Sequence, residues 1–287
     1  MLQAAEIIDI EPDAFQVGRS PRDAGVAVLT VAGSDSSGGA GIQADLKTIA
    51  AHLLYGESVI CALTAQNTRG VTGVVDAGAP FVGQQMDAVF QDIPPAAVKV
   101  GMLSNAATVR VVAERLRAWE ARNVVVDPVM VATSGAALLA DDAVADLVAR
   151  LLPVADVLTP NLPEAERLVG HAIDGQGCEG LLAAAREIAR HTRGAVLVKG
   201  GHRAAASTDA LVLADGSAYV LRAPLVETTN THGTGCTLSS AIACELALGR
   251  DVLTAVTRAK AYLTRCLAAG LDLGSGAGPL DHLAVLR

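Results

Sequence analysis

Short apolar runs rich in β-branched residues alternate along this chain with amphipathic, alanine-rich stretches. Runs such as VAVLTVA (26–32) and NVVVDPVM (123–130) are apolar at successive positions, so the strands that they predict must be buried on both faces. Buried strands that alternate with helices are typical of a mostly parallel sheet covered by helices. The pattern therefore predicts one layered α/β domain.

The predicted domain spans residues 25–287, because we find no internal repeat and no linker-like stretch within it. Residues 1–24 mix charges with two prolines and show little periodicity, so we expect them to form a loosely ordered extension. The apolar runs 58–65 and 71–77 follow each other without a helix between them. They predict an antiparallel pair, or small flap, near one edge of the sheet.

Composition excludes several classes of protein. The net charge is −8 and there are only seven aromatic residues, which argues against nucleic-acid binding. With 51% hydrophobic residues the chain is not disordered, yet it has no apolar run of about 18 residues that would predict a membrane span. The acidic N-terminal stretch does not resemble a secretory signal, and five cysteines without a C-x-x-C pair do not suggest disulfides or zinc. We therefore expect a cytoplasmic protein.

Polar and glycine residues gather where the predicted strands end. In sheets of this kind, ligands bind beyond the carboxyl ends of the strands, so this clustering predicts a site at that edge. The residues concerned are Gly33-Ser34-Asp35, Gln66-Asn67, Gly101-Met102, Asp127-Pro128, Asn161 and Lys199-Gly200-Gly201-His202.

The glycine-rich segment 32–45 joins a predicted strand to a predicted helix. It begins with the spacing of a Walker A loop but lacks the Lys and Ser/Thr that such a loop needs. It also fits a permissive G-x-G-x-x-A pattern, but the next strand ends in Gln66 rather than an acid, which argues against a dinucleotide site. Two interpretations stay open. The glycines permit close helix–strand packing, or they let a flat ligand approach the backbone with Asp45 one turn into the helix.

The second glycine-rich segment, 230–249, places Gly233-Thr234-Gly235 at the N-terminus of a predicted buried helix. Free backbone amides and the helix dipole make such a terminus an anion site, whereas a flexible loop before a core helix would explain the glycines alone. Cys236 falls in the first turn, where we expect a lowered thiol pKa.

Three further residues allow alternative interpretations. Lys199 ends a predicted strand, where it either faces a phosphate or simply reaches solvent. Asn161 and Glu164 have the spacing of a capping box, which is sufficient to explain them. Their oxygens also suit Mg²⁺ and its waters, and the two roles are compatible.

Taken in order, these motifs closely resemble the hydroxymethylpyrimidine/phosphomethylpyrimidine kinases of thiamine biosynthesis. The resemblance spans about 26–280 and rests on AGSDSSGGAGIQADLKT, LTAQNT, KVGML, DPVM, LTPNLPEAE, VKGGH and NTHGTGCT, of which the first and last are the most specific. It implies a ribokinase-like three-layer α/β/α fold. It also implies phosphorylation of 4-amino-5-hydroxymethyl-2-methylpyrimidine and then of its monophosphate, with ATP and Mg²⁺.

The resemblance also implies roles for individual residues. Those expected to hold the pyrimidine are Asp45, Gln66, Met102 and Val129. Those expected to serve Mg²⁺ are Asp127, Asn161 and Glu164. Those expected to bind ATP are Lys199, Gly201, Asp209 and Thr234. Those expected to act in catalysis are Lys199, Gly233, Thr234, Gly235 and, as the base, Cys236.

Two other functions compete with this one: a pyridoxal/pyridoxine kinase built on the same framework, and a catalytically dead relative that senses a ligand. Gln66 and Met102 favour the pyrimidine, and the intact Gly-Thr-Gly-Cys motif favours an enzyme. The family resemblance also suggests a homodimer, with no nucleic-acid or membrane partner. The C-terminal GAGP (276–279), followed by Asp281-His282, departs from the family pattern.

Overall fold

Ten strands form one sheet in the computed structural model, which describes residues 5–18, 25–130, 141–174, 177–201 and 206–287. The order across the sheet is β1-β10-β9-β8-β7-β6-β5-β2-β3-β4. The strands are β1 (Glu6–Asp9), β2 (Ala27–Asp35), β3 (Tyr55–Asn67), β4 (Gly70–Asp76), β5 (Ala97–Val100), β6 (Val124–Val126), β7 (Val157–Leu158), β8 (Ala195–Lys199), β9 (Ala206–Val212) and β10 (Ala218–Pro224).

The centre of the sheet is parallel. Strands β3, β2, β5, β6, β7 and β8 pair in parallel, so their carboxyl ends lie along one edge of the sheet. The pairings β3–β4, β8–β9 and β9–β10 are antiparallel. The β3–β4 pair closes one side of the sheet, which confirms the predicted edge flap.

Helices cover both faces of the sheet, and each face has its own apolar core. One core packs under α2 to α6 and the other under α1, α7 and α8, so the predicted three-layer α/β/α arrangement is confirmed. The helices are α1 (Gly41–Ala51), α2 (Ala79–Asp92), α3 (Ala106–Ala118), α4 (Asp141–Asp146), α5 (Leu162–Val169), α6 (Cys178–Ile188), α7 (Thr234–Ala247) and α8 (Val252–Ala269). No helix in the described ranges is both long and apolar enough to span a membrane.

Local signals explain several helix starts. Asn105 and Asp251 accept hydrogen bonds from backbone amides three residues ahead, at the starts of α3 and α8. Asn161 and Glu164 form a complete capping box at the start of α5. The predicted strand 123–130 is shorter than expected. It ends at Val126, and the next residue, Asp127, turns its carboxylate toward Lys199.

The N-terminal segment is not a loose extension where the structure describes it. Residues Glu6–Asp9 form β1, which pairs in parallel with β10 and widens the sheet. Phe15 is buried with its ring centroid 5.0 Å from those of His52 and Tyr262, and Arg258 lies over its ring. Arg258 also donates to the carbonyls of residues 14 and 16. The expectation failed because a single buried aromatic ring leaves no periodic signal in a sequence.

We predict that Phe15→Ala lowers the free energy of unfolding by about 3–5 kcal/mol, because it removes a fully packed aromatic ring. Phe81→Ala is the matched control. Phe81 is 56% exposed, so its loss should cost only about 0.5 kcal/mol. Urea unfolding of the two variants measures the difference, and equal stabilities would show that residues 5–18 are not part of the cooperative fold.

Candidate active site

A cleft with a volume of about 170 Å³ opens at the carboxyl edge of the parallel strands. Its walls come from the ends of six strands and from the loop before α7. The lining residues are Ala32, Gly33, Ser34, Asp35, Ala40, Gly41, Thr64, Gln66, Met102, Asp127, Val129, Asn161, Glu164, Lys199, Thr231, His232, Gly233, Thr234, Gly235 and Cys236.

One end of the cleft is formed by the N-terminus of α7. Gly233 precedes the helix in a left-handed conformation (φ 83°), and Thr234 is the first helical residue. The first amides of a helix have no intrahelical acceptor and carry the positive end of its dipole. A Cβ on Gly235 would lie 3.2 Å from Asp127 Oδ2 and 3.4 Å from Lys199 Nζ, so a side chain there would crowd both groups. This end of the cleft is built to receive an anion.

Lys199 and Asp127 form an ion pair on the floor of the cleft. Lys199 Nζ donates to Asp127 Oδ1 at 2.8 Å, and the Thr159 hydroxyl donates to the same oxygen. Burial would lower the pKa of Lys199, but the charges of Asp127 and Glu164 outweigh it and raise that pKa. The lysine therefore stays charged where it faces the cleft.

The three residues expected to serve Mg²⁺ all line this cleft. Asn161 Oδ1 is occupied by the amide of Glu164, and Glu164 Oε2 accepts from the amide of Asn161. Burial raises the pKa of the Glu164 carboxyl to about 7. No group of three or more His, Cys, Asp or Glu suited to a metal occurs in the part of the chain that the structure describes. The all-oxygen set nevertheless fits Mg²⁺ that keeps several of its waters.

Cys236 lies in the first turn of α7, but the expected lowering of its thiol pKa is wrong. Burial raises that pKa to about 11, although the nearby Lys99 charge opposes the shift. The helix N-terminus alone would have lowered it, and desolvation is the larger effect here. The group is therefore a neutral thiol in the free protein at neutral pH.

The cleft is also lined by three of the residues expected to bind the pyrimidine, namely Gln66, Met102 and Val129. Met102 packs so closely on the end of β2 that a Cβ on Gly33 would lie 2.7 Å from its sulfur. Two apolar side chains and the Gln66 amide suit a small, flat, polar ring.

Asp45 lies outside the cleft, which corrects the expectation that it touches the substrate. Its carboxylate is fully buried and accepts two hydrogen bonds from Lys99 Nζ, at 2.9 and 2.8 Å. Thr30 and Ser240 donate to the same carboxylate. Asp45 therefore joins β2, β5, α1 and α7 behind the cleft.

Lys99, the buried partner of Asp45, was not assigned a role from the sequence. It is fully buried, and although burial opposes its charge, Asp45 raises its pKa. The available signal was a lysine inside the apolar run AVKVG (97–101). A buried lysine requires a buried anion.

Asp209 and Gly201 are also absent from the cleft lining. Asp209 is buried in an ion pair with Lys260, and its Oδ1 accepts from the amide of Gly200 at 3.2 Å. Its place is thus behind the turn that follows Lys199, not against a ligand in this cleft. Gly201 is exposed with φ +67°, and His202 lies outside the described residues.

Glycines in the two glycine-rich segments allow the backbones to pack closely against each other. A Cβ on Gly233 would lie 2.0 Å from the carbonyl oxygen of Gly39, and one on Gly41 would lie 2.3 Å from that of Gly33. Close packing of backbone against backbone therefore explains the glycines at positions 233 and 41. The cleft is lined by the same segments, so the two interpretations of segment 32–45 are compatible.

Asp35 and His232 link the two segments. The sequence indicated that Asp35 belongs to the cluster at the strand ends and that His232 is a candidate for contact with a ligand, but it did not pair the two residues. His232 Nε2 lies 2.8 Å from Asp35 Oδ2, and both residues line the cleft. Asp35 follows a buried strand and His232 stands inside the second glycine-rich segment, which were the only signals in the sequence.

The known proteins that match this chain include pyrimidine and pyridoxal kinases and a longer protein of thiamine biosynthesis, and the family profile gives the narrowest description. The profile described as phosphomethylpyrimidine kinase matches residues 35–281. A hydroxymethylpyrimidine/phosphomethylpyrimidine kinase of Rhizobium meliloti is 54% identical over 258 residues, which cover 88% of this chain and 96% of the relative. The thiamine biosynthesis bifunctional protein ThiED of Geobacter sulfurreducens is 51% identical over 90% of this chain, which spans 52% of that longer protein.

Solved structures agree with this grouping. The phosphomethylpyrimidine kinase of Clostridium difficile has 44% identity and a TM-score of 0.74, covering 83% of this chain and 98% of its own. The pyridoxal kinase of Bacillus subtilis, solved as an ADP complex, has 32% identity and a TM-score of 0.83, covering 91% and 98% of the two chains.

The three-layer fold, with its cleft at the carboxyl edge of a mostly parallel sheet, is that of the ribokinase-like phosphotransferases. Within that class, the chain belongs to the phosphomethylpyrimidine kinase family. The family recognised from the motifs is therefore confirmed.

We predict that Lys99→Met destabilises the protein by about 3–5 kcal/mol, because it leaves the Asp45 carboxylate buried without a counter-charge. The double variant Lys99→Met/Asp45→Asn should recover at least half of that loss. Lys47→Met, which changes an exposed lysine of α1, is the control. Urea unfolding measures all three, and a stable Lys99→Met protein would contradict the buried ion pair.

Proposed function

We propose that this protein transfers the γ-phosphoryl group of ATP to 4-amino-5-hydroxymethyl-2-methylpyrimidine and then to the resulting monophosphate. The observation that carries the proposal is one cleft lined by two chemically different groups of residues. Gln66 and Met102 offer an amide and an apolar surface to a ring, and Gly235, Lys199 and Asp127 lie close together where an anion can bind. Membership of the phosphomethylpyrimidine kinase family supports the choice of substrate.

Phosphoryl transfer mainly requires positioning of the reactants and neutralisation of charge. Amides at the start of α7 and the Lys199 ammonium would supply fixed positive potential to the transferring group. Asp209 would act indirectly, since its hydrogen bond to the Gly200 amide holds the turn beside Lys199. Mg²⁺, held through waters by Asp127, Asn161 and Glu164, would neutralise phosphate charge.

Cys236 would accept the hydroxyl proton in the first phosphorylation. Because its thiol is neutral in the free protein, this role requires loss of the thiol proton, which the nearby positive charge of Lys99 favours. In the second phosphorylation the acceptor is an ionised phosphate, which needs no base.

The second candidate is a pyridoxal kinase. The observation in its favour is the fold similarity to the Bacillus subtilis pyridoxal kinase noted above, which is 32% identical to this chain. The higher identity to pyrimidine kinases favours the first candidate. A ligand sensor without activity is disfavoured by the intact ion pair and helix terminus.

We further propose a cytoplasmic homodimer. All five cysteines are free thiols, which suits a reducing compartment. The edge flap exposes Leu63, Val74 and Val75, an apolar surface at an edge strand where a second copy would pack. Light scattering of the purified protein measures the assembly.

We predict that the protein phosphorylates the pyrimidine alcohol and its monophosphate at least about tenfold more efficiently, as kcat/KM, than pyridoxal. Parallel steady-state assays with the three acceptors and ATP, with and without Mg²⁺, provide the measurement. A preference for pyridoxal would establish the second candidate. No turnover of any acceptor would establish the sensor.

We predict that Cys236→Ala lowers kcat for the alcohol by about 10²–10⁴-fold and kcat for the monophosphate by less than about tenfold. The base must be deprotonated, so kcat of the wild type for the alcohol should rise with pH above neutrality. The rate with the monophosphate should not share this rise. Equal losses in both reactions would contradict the role of the thiol as a base.

A further inference from the structure

The C-terminal GAGP (276–279) and the Asp281-His282 that follows it have no part in the site described above. No residue of this stretch is among those that line the cleft. The stretch nevertheless packs against the loop before α7, which leads into the anion-binding end. Residues 278–282, called here the C-terminal segment, contact the chain on both sides of the anion-binding turn Gly233-Thr234-Gly235.

Backbone hydrogen bonds join the C-terminal segment to the loop before this turn. The Gly278 amide donates to the carbonyl of Thr229 at 3.1 Å, and the His232 amide donates to the carbonyl of Gly278 at 3.0 Å. A Cβ on Gly278 would lie 2.0 Å from Asn230 Oδ1, and Asn230 is only 3% exposed, so its side chain has little room to move. This loop is therefore held against the segment as far as the start of the turn.

A buried hydroxyl joins the same segment to the chain after the turn. Thr237 Oγ1 lies 2.9 Å from the carbonyl oxygen of Gly233 and 3.0 Å from His282 Nε2. A hydroxyl donates one hydrogen bond and accepts others, so it bridges the carbonyl and the ring. His282 is buried, and its own carbonyl accepts from the Tyr262 hydroxyl at 2.9 Å. The first turn of α7 is therefore tied to a fixed point of the C-terminal segment.

This bridge is separable from the helix itself. The Thr237 amide donates to the Gly233 carbonyl at 2.9 Å, as an ordinary helical hydrogen bond. That bond does not involve the side chain, so α7 keeps its first turn when the hydroxyl is removed. What is lost is the tie between the first turn and the C-terminal segment.

The turn between the two attachments leads directly to the amides of the anion-binding end. The amide and the hydroxyl of Thr234 bond to the Thr231 carbonyl, at 3.3 and 2.6 Å, so both are already engaged. The amides of Gly235 and Cys236 follow in the first turn, where a helix offers no internal acceptor. Such donors stabilise a transferring phosphoryl group only when they are correctly placed.

We infer that Thr237 and His282 are positioning residues for phosphoryl transfer, which hold the amides of Gly235 and Cys236 in place through the C-terminal segment. The inference rests on the proposed function, because it places the transferred phosphoryl group at this helix terminus. Neither positioning residue lines the cleft. The hydrogen bonds of Gln66 involve neither of them, so binding of the pyrimidine should not depend on them.

The first test removes the hydroxyl. Thr237→Val should lower kcat for the pyrimidine alcohol and for its monophosphate by about 10–100-fold each, because both reactions transfer the same phosphoryl group. Calorimetry without nucleotide should show that the dissociation constant of the pyrimidine alcohol changes by less than about twofold. Thr237→Ser, which keeps the hydroxyl, should retain at least about half of the wild-type kcat.

The second test removes the imidazole. His282→Leu should lower kcat to a similar extent, and His282→Gln, whose amide can bond to the hydroxyl, should recover most of the loss. Because both residues act through one bridge, Thr237→Val/His282→Leu should lose no more than about twofold beyond the worse single variant. Thr264→Val is the matched control and should keep the wild-type kcat. Thr264 is also buried in a helix, and its hydroxyl donates to the Lys260 carbonyl four residues earlier.

Three outcomes would overturn the inference. They are a Thr237→Val protein with full kcat, losses that multiply in the double variant, and a pyrimidine dissociation constant that rises as much as kcat falls, which would indicate general loosening. Melting temperatures identify a variant that has merely unfolded. If Thr237→Val has unfolded, the comparison of His282→Gln with His282→Leu decides the matter, and equal kcat values in those two would contradict the bridge.

Failure of the proposed function is a separate result, since it would appear as a wild type that phosphorylates neither pyrimidine. A non-hydrolysable ATP analogue then provides the test. It should shift the amide resonances of Gly235 and Cys236 in NMR spectra of the wild type, and shift them less in Thr237→Val. A wild type in which these two amides do not respond, or a variant in which they respond fully, would overturn the inference.

Discussion

The cleft depends on the close contact between the loop after β2 and the loop before α7. At its tightest point a Cβ on Gly233 would lie 2.0 Å from the carbonyl oxygen of Gly39, so any side chain there would separate the two loops. Asp35 closes the same contact by accepting from amides of its own loop and from His232 of the other. The anion-binding helix terminus and the wall with Gln66 are held together by this contact.

Buried ion pairs support the cleft from behind. Lys99 and Asp45 connect strand β5 to helix α1, while Lys260 and Asp209 connect helix α8 to the strand beside Lys199. Such pairs add little net stability, since desolvation offsets much of their attraction, but removing one partner leaves an uncompensated charge. They therefore fix the relative positions of elements that carry the cleft residues. The local positive potential that a chain of net charge −8 presents to an anion comes from the first amides of α7 and from Lys199.

Several features were predictable because they depend on neighbours in the sequence. The α5 capping box and the start of α7 were found where the motifs placed them, and each polar cluster at a strand end contributes at least one residue to the cleft. The docking of Phe15 and the raised pKa of Cys236 were not. Both depend on burial by residues that are distant in sequence, and burial reversed the effect that the helix terminus alone would have on the thiol.

The sequence by itself determined the α/β alternation, the family, and which residues stand at the carboxyl ends of the strands, because strand, turn and helix signals are local. Only the tertiary structure decided which side chains pair with one another. Asp45 pairs with Lys99 although the two are 54 residues apart in the sequence. The separation is 72 residues for Asp127 and Lys199, and 197 residues for Asp35 and His232. These pairings follow from the order of strands in the sheet, which no local pattern encodes. The same strand order buries Asp45 behind the cleft and places His232 beside Gln66.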